Sequence, residues 1–291
     1  MTRTPDEPTL RFAIPTGRMY DGVTRLLADA GIHITQTVRS YRPRISLAGC
    51  EVKILKPQSI VEMLHAGSRD VGFAGADWVA ELDVGLVELV DTGLDPVRIV
   101  AAAPGGLLER GELPRRRLVV ASEYQRLARR WIEARGLDAV FVKSFGATEV
   151  FPPEDADVIV DNSASGETLK ANGLVVVDEL MRSSTRLFAS PRAMELEHTR
   201  DAIERLVLLV RSVLAARGRV MVELNVAPRD LEAVVEALPC LREPTISALH
   251  GDAGYAVRAA VPREELPRLI PTLKSCGGTD LVVSSPSQIG P

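Results

Sequence analysis

Residues 158–174 read VIVDNSASGETLKANGL, an apolar run followed directly by a small loop rich in hydroxyl groups. The pattern predicts a strand that ends at Asp161 and a short helix that opens around Ser165, Gly166 and Thr168. Unpaired amides at a helix start and nearby hydroxyls can donate hydrogen bonds to a phosphate, and the Asp161 carboxylate can accept them from ribose. The stretch suits a phosphorylated sugar, but the same residues also cap ordinary turns.

Strands and helices alternate around this stretch, which is typical of an α/β fold with largely parallel sheets. Before it, the pattern predicts strands at residues 10–15, 51–55, 71–74, 97–103, 118–121 and 139–142, and helices at 19–30, 57–66 and 123–135. After it, the pattern predicts strands at residues 174–177 and 185–189 and one long helix at 191–217.

Beyond Gly218 the order of elements changes. Strands are predicted at residues 220–226, 245–249, 255–261 and 280–283, and helices at 228–238 and 263–276. A Gly-Asp-Ala-Gly turn at residues 251–254 suits a hairpin between the two central strands. The order βαββαβ is the ferredoxin-like arrangement, so we expect a separate small domain of this type.

Composition limits the possible partners. The chain has 291 residues, 46% of them hydrophobic, and its 35 basic and 39 acidic residues give a net charge of −4. No basic stripe is present, so we expect no nucleic-acid partner. The polar start MTRTPDEPTL and the lack of a run of about 20 apolar residues predict a cytoplasmic protein with no membrane contact. Three scattered cysteines and four scattered histidines predict neither a disulfide framework nor a zinc site.

Three further groups follow predicted strand ends, where open α/β sheets bind ligands. Arg18 could bind a phosphate and Lys56 a triphosphate, or both could be ordinary solvated cations. Gly75 and Asp77 lie in VGFAGAD, whose glycines either allow a base or ribose to approach or pack closely at a turn. The residues alone leave these alternatives open.

Together these motifs resemble the ATP phosphoribosyltransferases, the family that opens histidine biosynthesis. VDNSASGETLKANGL resembles the phosphoribosyl pyrophosphate loop of that family. Further segments that resemble the family are GATEVFP at 146–152, DVGFAGADW at 70–78, GRM at 17–19 and LKP at 55–57. EPTIS at 243–247 is similar to a segment of the long form, which carries an additional regulatory domain.

The resemblance implies a two-lobed catalytic core like that of periplasmic binding proteins. Residues 1–97 and 181–217 would form the first lobe and 98–180 the second, with a ferredoxin-like regulatory domain at 218–291. It further implies transfer of phosphoribosyl from phosphoribosyl pyrophosphate to N1 of ATP, with Mg²⁺ as cofactor. Inhibition by histidine and a homo-oligomer, from dimer to hexamer, are implied as well.

The same resemblance implies roles for individual residues. Asp161 would hold the ribose hydroxyls, and Glu149 would help to position the ribose or the metal. The substrate-binding residues would be Ala164, Ser165, Gly166, Glu167 and Thr168 in the loop, and Arg18, Lys56, Gly75 and Asp77 from the other lobe. A histidine site would involve Asn225, Leu241 and Thr245. The metal ligands are not identified.

Several residues depart from the family pattern. Thr16 stands where many relatives have lysine, and Lys56 stands where arginine is usual; an ammonium cannot reproduce the two-pronged contact of a guanidinium. Asn162 and Ser163 replace apolar residues, and Glu167 places a carboxylate beside the expected phosphate site. These departures leave open a second hypothesis, a catalytically weak paralogue that acts as an anion-binding or regulatory module.

Overall fold

The computed structural model describes residues 10–35, 41–240 and 242–290. These residues divide into two compact units. One lies within Met1–Arg25 and Ile32–Glu204, and the other within Leu26–Gly31 and Arg205–Pro291. Within the described ranges, no helix is both long enough and apolar enough to cross a membrane.

The first unit contains the α/β elements that the alternating pattern predicts. Its strands are β1 Leu10–Pro15, β2 Ile34–Thr35, β3 Arg44–Ile45, β4 Cys50–Leu55, β5 Val71–Gly75, β6 Val87–Pro104, β7 Leu118–Ser122, β8 Ala139–Lys143, β9 Val158–Ser163 and β10 Leu174–Ala189. Its helices are α1 Arg18–Asp29, α2 Pro57–His65, α3 Ala76–Leu82, α4 Gln125–Ala134, α5 Glu167–Ala171 and α6 Pro191–Glu195. Helix α7, Glu197–Arg217, and helix α1 both extend across the division between the units.

Eight of these strands form one sheet in the order β4-β1-β5-β10-β6-β9-β7-β8. The long strands β6 and β10 are antiparallel to each other and form the middle of the sheet. Each of them has one further neighbour, on its outer side. Strand β10 pairs with β5 through Thr185–Ala189, whereas β6 pairs with β9 through Arg98–Ala102. The half built on β4, β1 and β5 is the first lobe, and the half built on β9, β7 and β8 is the second. This confirms the predicted two-lobed α/β core; the limits at residues 97, 181 and 218 stay predictions.

Helices cover both faces of the parallel strands, so these strands are almost continuously apolar. In the second lobe, Val158 and Val160 of β9 pack with Trp131 of α4 on one face. Ile159 of the same strand packs with Leu169 of α5 on the opposite face. Burial on both faces fixes the register of β9 and therefore fixes where Asp161 leaves the core.

Two predictions of local structure were wrong, and helix α3 was missed. The sequence predicts two strands at 174–177 and 185–189, but the polar residues between them continue a single strand, β10, because they pair with β6. The helix predicted at 191–217 is interrupted at Leu196, whose backbone is extended (φ −90°, ψ 111°). Helix α3 was not predicted, since seven residues directly after a strand give too short a periodic signal.

The second unit has strands β11 Arg219–Val226, β12 Thr245–Ala248, β13 Tyr255–Pro262 and β14 Thr279–Ser284, with helices α8 Leu231–Ala237 and α9 Leu266–Ser275. Its antiparallel sheet has the order β12-β13-β11-β14. Alternate residues of β11, among them Val222 and Leu224, pack in the core with Leu273 of α9. Gly254, at the predicted hairpin, has φ 127°, and an added Cβ would collide with the Val226 carbonyl. The ferredoxin-like prediction is confirmed.

Candidate active site

Side chains from both lobes line a cavity of about 80 Å³ beside the long strands. Three of them were predicted from the sequence: Arg18, Gly75 and Asp77. Others were not, and they include Trp78, Asp95, Tyr124, Asn162 and Ser183. Larger grooves exist on the unit, but at this cavity polar groups of both lobes converge, which is the arrangement expected of a substrate site.

The Asp77 carboxylate is buried and bound on both oxygens. Its Oδ1 accepts a hydrogen bond of 2.6 Å from Ser183 Oγ on β10, and its Oδ2 accepts one of 2.8 Å from the Tyr124 hydroxyl. The Tyr124 ring stacks on Trp78 with centroids 4.8 Å apart. Burial, followed by the charge of Asp77, raises the pKa of Tyr124, so the phenol stays protonated and donates. Asp77 therefore binds protein groups across the two lobes.

Asn162 extends this hydrogen bonding to the end of β9. Its Nδ2 donates to the Tyr124 oxygen at 3.2 Å and to Asp161 Oδ1 at 3.2 Å. Its backbone N–H also donates to Asp161 Oδ1, at 2.7 Å. Five side chains, those of Ser183, Asp77, Tyr124, Asn162 and Asp161, thus form one hydrogen-bonded chain that we call the interlobe chain.

Asp161 is half-buried at the carboxyl end of β9. Burial raises its pKa to about 6, the Asn162 backbone N–H opposes this, and the charges of Glu149 and Glu123 add to it. Glu149 is half-buried in a single helical turn at Thr148–Val150. The structure therefore brings the two predicted catalytic acids into one electrostatic neighbourhood, where water is partly excluded.

The predicted phosphate loop is open to solvent. Ala164, Ser165, Glu167 and Thr168 are all exposed, and Ser165 Oγ has only a long hydrogen bond of 3.4 Å, accepted from the Glu167 N–H. Gly166 has φ 83°, and an added Cβ there would meet no atom within 4 Å, so backbone conformation rather than space explains the glycine. Because α5 has five residues, its free amides and hydroxyls, rather than a long helix dipole, are available to an anion.

The two predicted cations, Arg18 and Lys56, are exposed at the starts of α1 and α2. Neither forms a salt bridge or a side-chain hydrogen bond with another residue that the structure describes. Arg18 lines the cavity, whereas Lys56 does not. Arg18 is thus grouped with Asp77 and Asn162, while Lys56 lies apart from the residues that line the cavity.

Sequence reasoning missed the residues that complete the cavity. Tyr124 and Ser183 lie 47 and 106 positions from Asp77, so no local motif connects them. In the sequence, Asn162 stands out only as a departure from the apolar pattern of the family. Asp95 adopts φ 47°, which is uncommon for a residue other than glycine, and its Oδ2 accepts a hydrogen bond of 2.8 Å from Thr185 Oγ1. The signal that the sequence offered was Asn162, a polar residue at the end of an apolar run.

A second pocket, of about 300 Å³, lies on the sheet of the second unit. It brings together Asn225 and Thr245, two of the residues predicted for an effector. Asp280, whose Oδ2 accepts a hydrogen bond of 3.0 Å from Asn225 Nδ2, also lines it, as do Arg258 and Glu223. Leu241, the third predicted residue, lies outside the described residues.

No protein cage for a metal is apparent in the described part of the chain. No group of three or more His, Cys, Asp or Glu side chains there could hold an ion. A resident metal bound only by protein does not fit this site. An ion carried by substrate phosphates, with water completing its shell, needs no such group.

Fold and site together define a two-lobed α/β protein whose polar cleft and open hydroxyl-rich loop suit an anionic substrate. The family model described as ATP phosphoribosyltransferase matches residues 56–212, and that described as HisG, C-terminal domain matches residues 216–286. The chain belongs to the ATP phosphoribosyltransferase family, in its long form.

Individual relatives agree with this assignment. An ATP phosphoribosyltransferase of Chlorobaculum parvum is 32% identical over 92% of this chain and 93% of its own length. One from Pelotomaculum thermopropionicum is 31% identical over 94% of this chain and 96% of its own. A chain of the ATP phosphoribosyl transferase (HisG:HisZ) complex of Thermotoga maritima is 25% identical, with a TM-score of 0.62 over 69% of this chain and 96% of that one.

Proposed function

We propose that this chain transfers the phosphoribosyl group of phosphoribosyl pyrophosphate to N1 of ATP and releases pyrophosphate, as the first step of histidine biosynthesis. The observation that carries the proposal is the end of β9. There the half-buried Asp161 is followed by an exposed loop whose Ser165 and Thr168 hydroxyls are available. Family membership over nearly the full chain supports the same reaction.

The reaction forms one bond and breaks one. The N1 lone pair of adenine attacks C1′ of the ribose, the C1′–O bond breaks, and its electrons leave with pyrophosphate. N1 carries no proton, so no general base is needed. Catalysis then consists of holding two anionic substrates in line and stabilising charge at the ribose and the leaving group.

The residues of the second lobe suit the sugar. Asp161 accepts hydrogen bonds from ribose hydroxyls when it is ionised, and Glu149 helps to orient the ribose from the same acidic neighbourhood. Ser165, Thr168 and the free amides around Gly166 donate to the 5′-phosphate. In this proposal Ala164 and Glu167 line the loop without donating a side-chain hydrogen bond.

The residues of the first lobe suit ATP. Arg18 lines the cavity and binds a phosphate, and Lys56 contacts the triphosphate or pyrophosphate from outside the cavity. Gly75 lets the backbone approach the base, but Asp77 is occupied by protein groups, so its part in binding is indirect. When bound, Mg²⁺ would neutralise part of the pyrophosphate charge, and we assign it no protein ligands.

The rival hypothesis of a noncatalytic anion-binding module is not favoured. The expected substrate loop is exposed, and Glu167, the carboxylate that raised the concern, is exposed as well. Thr16 and Lys56 still replace cations or guanidinium groups of relatives, so they are expected to weaken phosphate binding rather than remove it.

Turnover tests the proposal directly. Purified protein is mixed with ATP, phosphoribosyl pyrophosphate and Mg²⁺, and product is followed by ultraviolet absorbance and by release of pyrophosphate. We expect turnover in the wild type and at least a 1,000-fold loss in Asp161→Ala, because the ribose loses its charged acceptor. Asp157→Ala, at the opposite end of β9, is the matched control. Binding without turnover in the wild type would instead support the noncatalytic module.

Feedback by histidine is a second part of the proposal. The pocket with Asn225 and Thr245 also contains Asp280 and the ion pair of Arg258 with Glu223, at 3.2 Å. Acidic and basic groups in one pocket complement the ammonium and carboxylate of an amino acid. Asp280→Asn should raise the histidine concentration for half-inhibition about tenfold without changing uninhibited turnover. Unchanged inhibition would place histidine elsewhere.

We further propose that the chain is a cytoplasmic homo-oligomer, between dimer and hexamer. The support is family membership; the Thermotoga maritima chain is described as part of a HisG:HisZ complex, which supports assembly without fixing its composition. Light scattering of the purified protein with and without histidine measures the assembly. A monomer under both conditions would contradict this part of the proposal.

A further inference from the structure

The interlobe chain connects Asp77 to Asp161 through hydrogen bonds, although Asp77 itself is not free to bind a substrate. We propose that Asp77 is a positioning residue that acts through Tyr124 and Asn162 to orient Asp161 for phosphoribosyl pyrophosphate. The proposal rests on the function proposed above and adds to it a connection between the ATP side and the sugar side of the cleft. Each link of the connection is a hydrogen bond between named atoms.

Asp77 is held too firmly to serve as a ligand in this arrangement. It is 5% exposed, and its two oxygens accept from Ser183 and Tyr124 at 2.6 and 2.8 Å. Its own backbone N–H donates to Ser183 Oγ at 3.0 Å, which fixes the start of α3 on β10. Gly75 is required nearby, because a Cβ at that position would overlap Asp77 Oδ1. Asp77 is therefore an anchored acceptor.

Tyr124 connects Asp77 to Asn162, because its hydroxyl is hydrogen-bonded to both side chains. The phenol has one hydrogen, and it donates that hydrogen to Asp77 Oδ2. The phenol oxygen can then accept from Asn162 Nδ2, at 3.2 Å. The backbone N–H of Tyr124 is fixed on Ser122 Oγ at 2.8 Å, and that hydroxyl donates to the Val160 carbonyl on β9. The ring is thus attached to the strand that carries Asp161.

Asn162 completes the path because its amide has two hydrogens. One points to Tyr124 and the other to Asp161 Oδ1, which also accepts from the Asn162 backbone N–H. Among the described residues, no group donates to Asp161 Oδ2. One oxygen of the acid is therefore held by the protein and the other is available to ribose, which is the orientation that binding requires.

The chain crosses from one lobe to the other between Asp77 and Tyr124. Independent contacts also join α3 to α4 there. Glu81 accepts hydrogen bonds from the backbone N–H groups of Arg126 and Leu127, at 2.9 to 3.0 Å, and Asp83 forms an ion pair with Arg126. Because these contacts remain when the Asp77 link is removed, Asp77 and Tyr124 variants test orientation rather than loss of the interlobe contact.

Binding of phosphoribosyl pyrophosphate to the full chain, with Mg²⁺ and without ATP, tests the inference by calorimetry. Asp77→Leu removes the acceptor at similar volume, Tyr124→Phe removes the phenol oxygen, and each should weaken binding about tenfold. Asn162→Ala should weaken binding by the same factor. Added to Asn162→Ala, Tyr124→Phe should cause no further loss, because the group it acts through is gone.

Two control variants separate orientation from general destabilisation. Asp157 accepts hydrogen bonds from the Val119 N–H at 2.8 Å and from Arg116 at 2.6 Å, at the far end of β9. Asp157→Asn should lower the melting temperature and leave the dissociation constant unchanged. Tyr255→Phe, in the second unit, should change neither. Thermal unfolding of every variant is measured beside its binding.

The outcomes distinguish this inference from the function it rests on. A wild type that does not bind phosphoribosyl pyrophosphate would overturn both. Binding in the wild type with unchanged affinity in Asp77→Leu and Tyr124→Phe would overturn the inference alone, and so would a loss that multiplies when Tyr124→Phe is added to Asn162→Ala. If the buried variants fail to fold, Asn162→Ala, an exposed side chain, decides: an unchanged affinity overturns the inference.

Discussion

The loop at residues 163–168 and the cluster around Asp77 differ in almost every physical respect, although Asn162 lies next to both. The loop side chains Ser165 and Thr168 are exposed and have few protein partners. The cluster residues Asp77 and Tyr124 are buried, and their polar atoms are hydrogen-bonded to protein. One region has hydrogen-bonding capacity left for a ligand, and the other has used it internally.

This difference shows how the two regions should respond to mutation. Exposed polar groups of a binding site contribute little to folding stability, because water forms their hydrogen bonds when no ligand is bound. Buried groups that satisfy one another become costly as soon as one partner is removed. Changes in the loop should therefore alter binding, and changes in the cluster should alter stability as well.

Among changes that should alter binding and leave stability intact, the largest effect is expected in the loop. Ser165→Ala combined with Thr168→Val removes two donors to a charged phosphate, each worth about 1.5–3 kcal/mol, so kcat/KM for phosphoribosyl pyrophosphate should fall at least 100-fold. The melting temperature should stay within about 1 °C, since both residues are exposed. Steady-state kinetics and thermal unfolding measure the two effects.

The matched control for that variant changes the same residue types on another exposed surface. Thr272→Val with Ser275→Ala alters two exposed hydroxyls of α9 in the second unit. Neither kinetics nor stability should change appreciably. A loop variant that loses stability but keeps its kcat/KM would reverse the distinction between the two regions.

Two glycines, one in each region, give the next comparison. At Gly75 an added Cβ overlaps the Asp77 carboxylate, so Gly75→Ala should break buried hydrogen bonds and lower the free energy of unfolding by about 2 kcal/mol. At Gly166 the space is open and only the positive φ of 83° opposes alanine, which costs about 1 kcal/mol. Urea unfolding of both variants measures the difference, and a larger loss at Gly166 would contradict the assignment of Gly75 to the cluster.

Asp161 lies between the two regions, and its ionisation should favour turnover while lowering the stability of the fold. Its pKa is raised to about 6, mainly by burial, so the folded protein holds this proton more tightly than the unfolded chain. The contribution to stability is present below the unfolded pKa of about 4 and is lost as pH rises through about 6. At pH 7, Asp161→Asn should stabilise the protein by about 1–2 kcal/mol, after allowance for partial exposure, while abolishing turnover.

Melting temperatures between pH 4 and pH 8 measure this effect. The two proteins should differ little at pH 4 and most above pH 7. Asp157 provides a control of opposite sign: burial alone would raise its pKa, but hydrogen bonds from Arg116 and Val119 hold the pKa below its usual value. Asp157→Asn should therefore destabilise the protein at pH 7 and less so in acid. If Asp161→Asn were less stable than the wild type at pH 7, the ionised Asp161 would not destabilise the fold, and this prediction would be wrong.

The sequence predicts what depends on neighbours along the chain. The apolar run that ends at Asp161, the small residues after it and the βαββαβ order after Gly218 all lie in continuous segments, and the structure confirms the elements they predict. The sequence predicts two strands in place of β10, because the polar middle of β10 lacks a strand pattern. Pairing with β6 keeps that segment extended.

The interlobe chain could not be predicted in the same way. Asp77, Tyr124 and Ser183 are remote in sequence, and their contact depends on how two lobes of one sheet come together. The sequence placed Asp77 near the cleft but could not show that its oxygens are occupied. The domain limits stay predictions, and the binding and turnover of the variants test the roles of the site residues.

The smallest expected effect concerns Glu167, the exposed carboxylate beside the loop. Since it lies in water, its repulsion of a bound phosphate is strongly screened. Glu167→Gln should lower the KM for phosphoribosyl pyrophosphate about twofold to threefold at low salt and leave it nearly unchanged at high salt, with less than about 0.5 kcal/mol lost in stability. Glu154→Gln serves as the exposed control with no expected effect. A raised KM at both salt concentrations would mean that Glu167 takes part in binding. The loop would then not act through hydroxyls and amides alone.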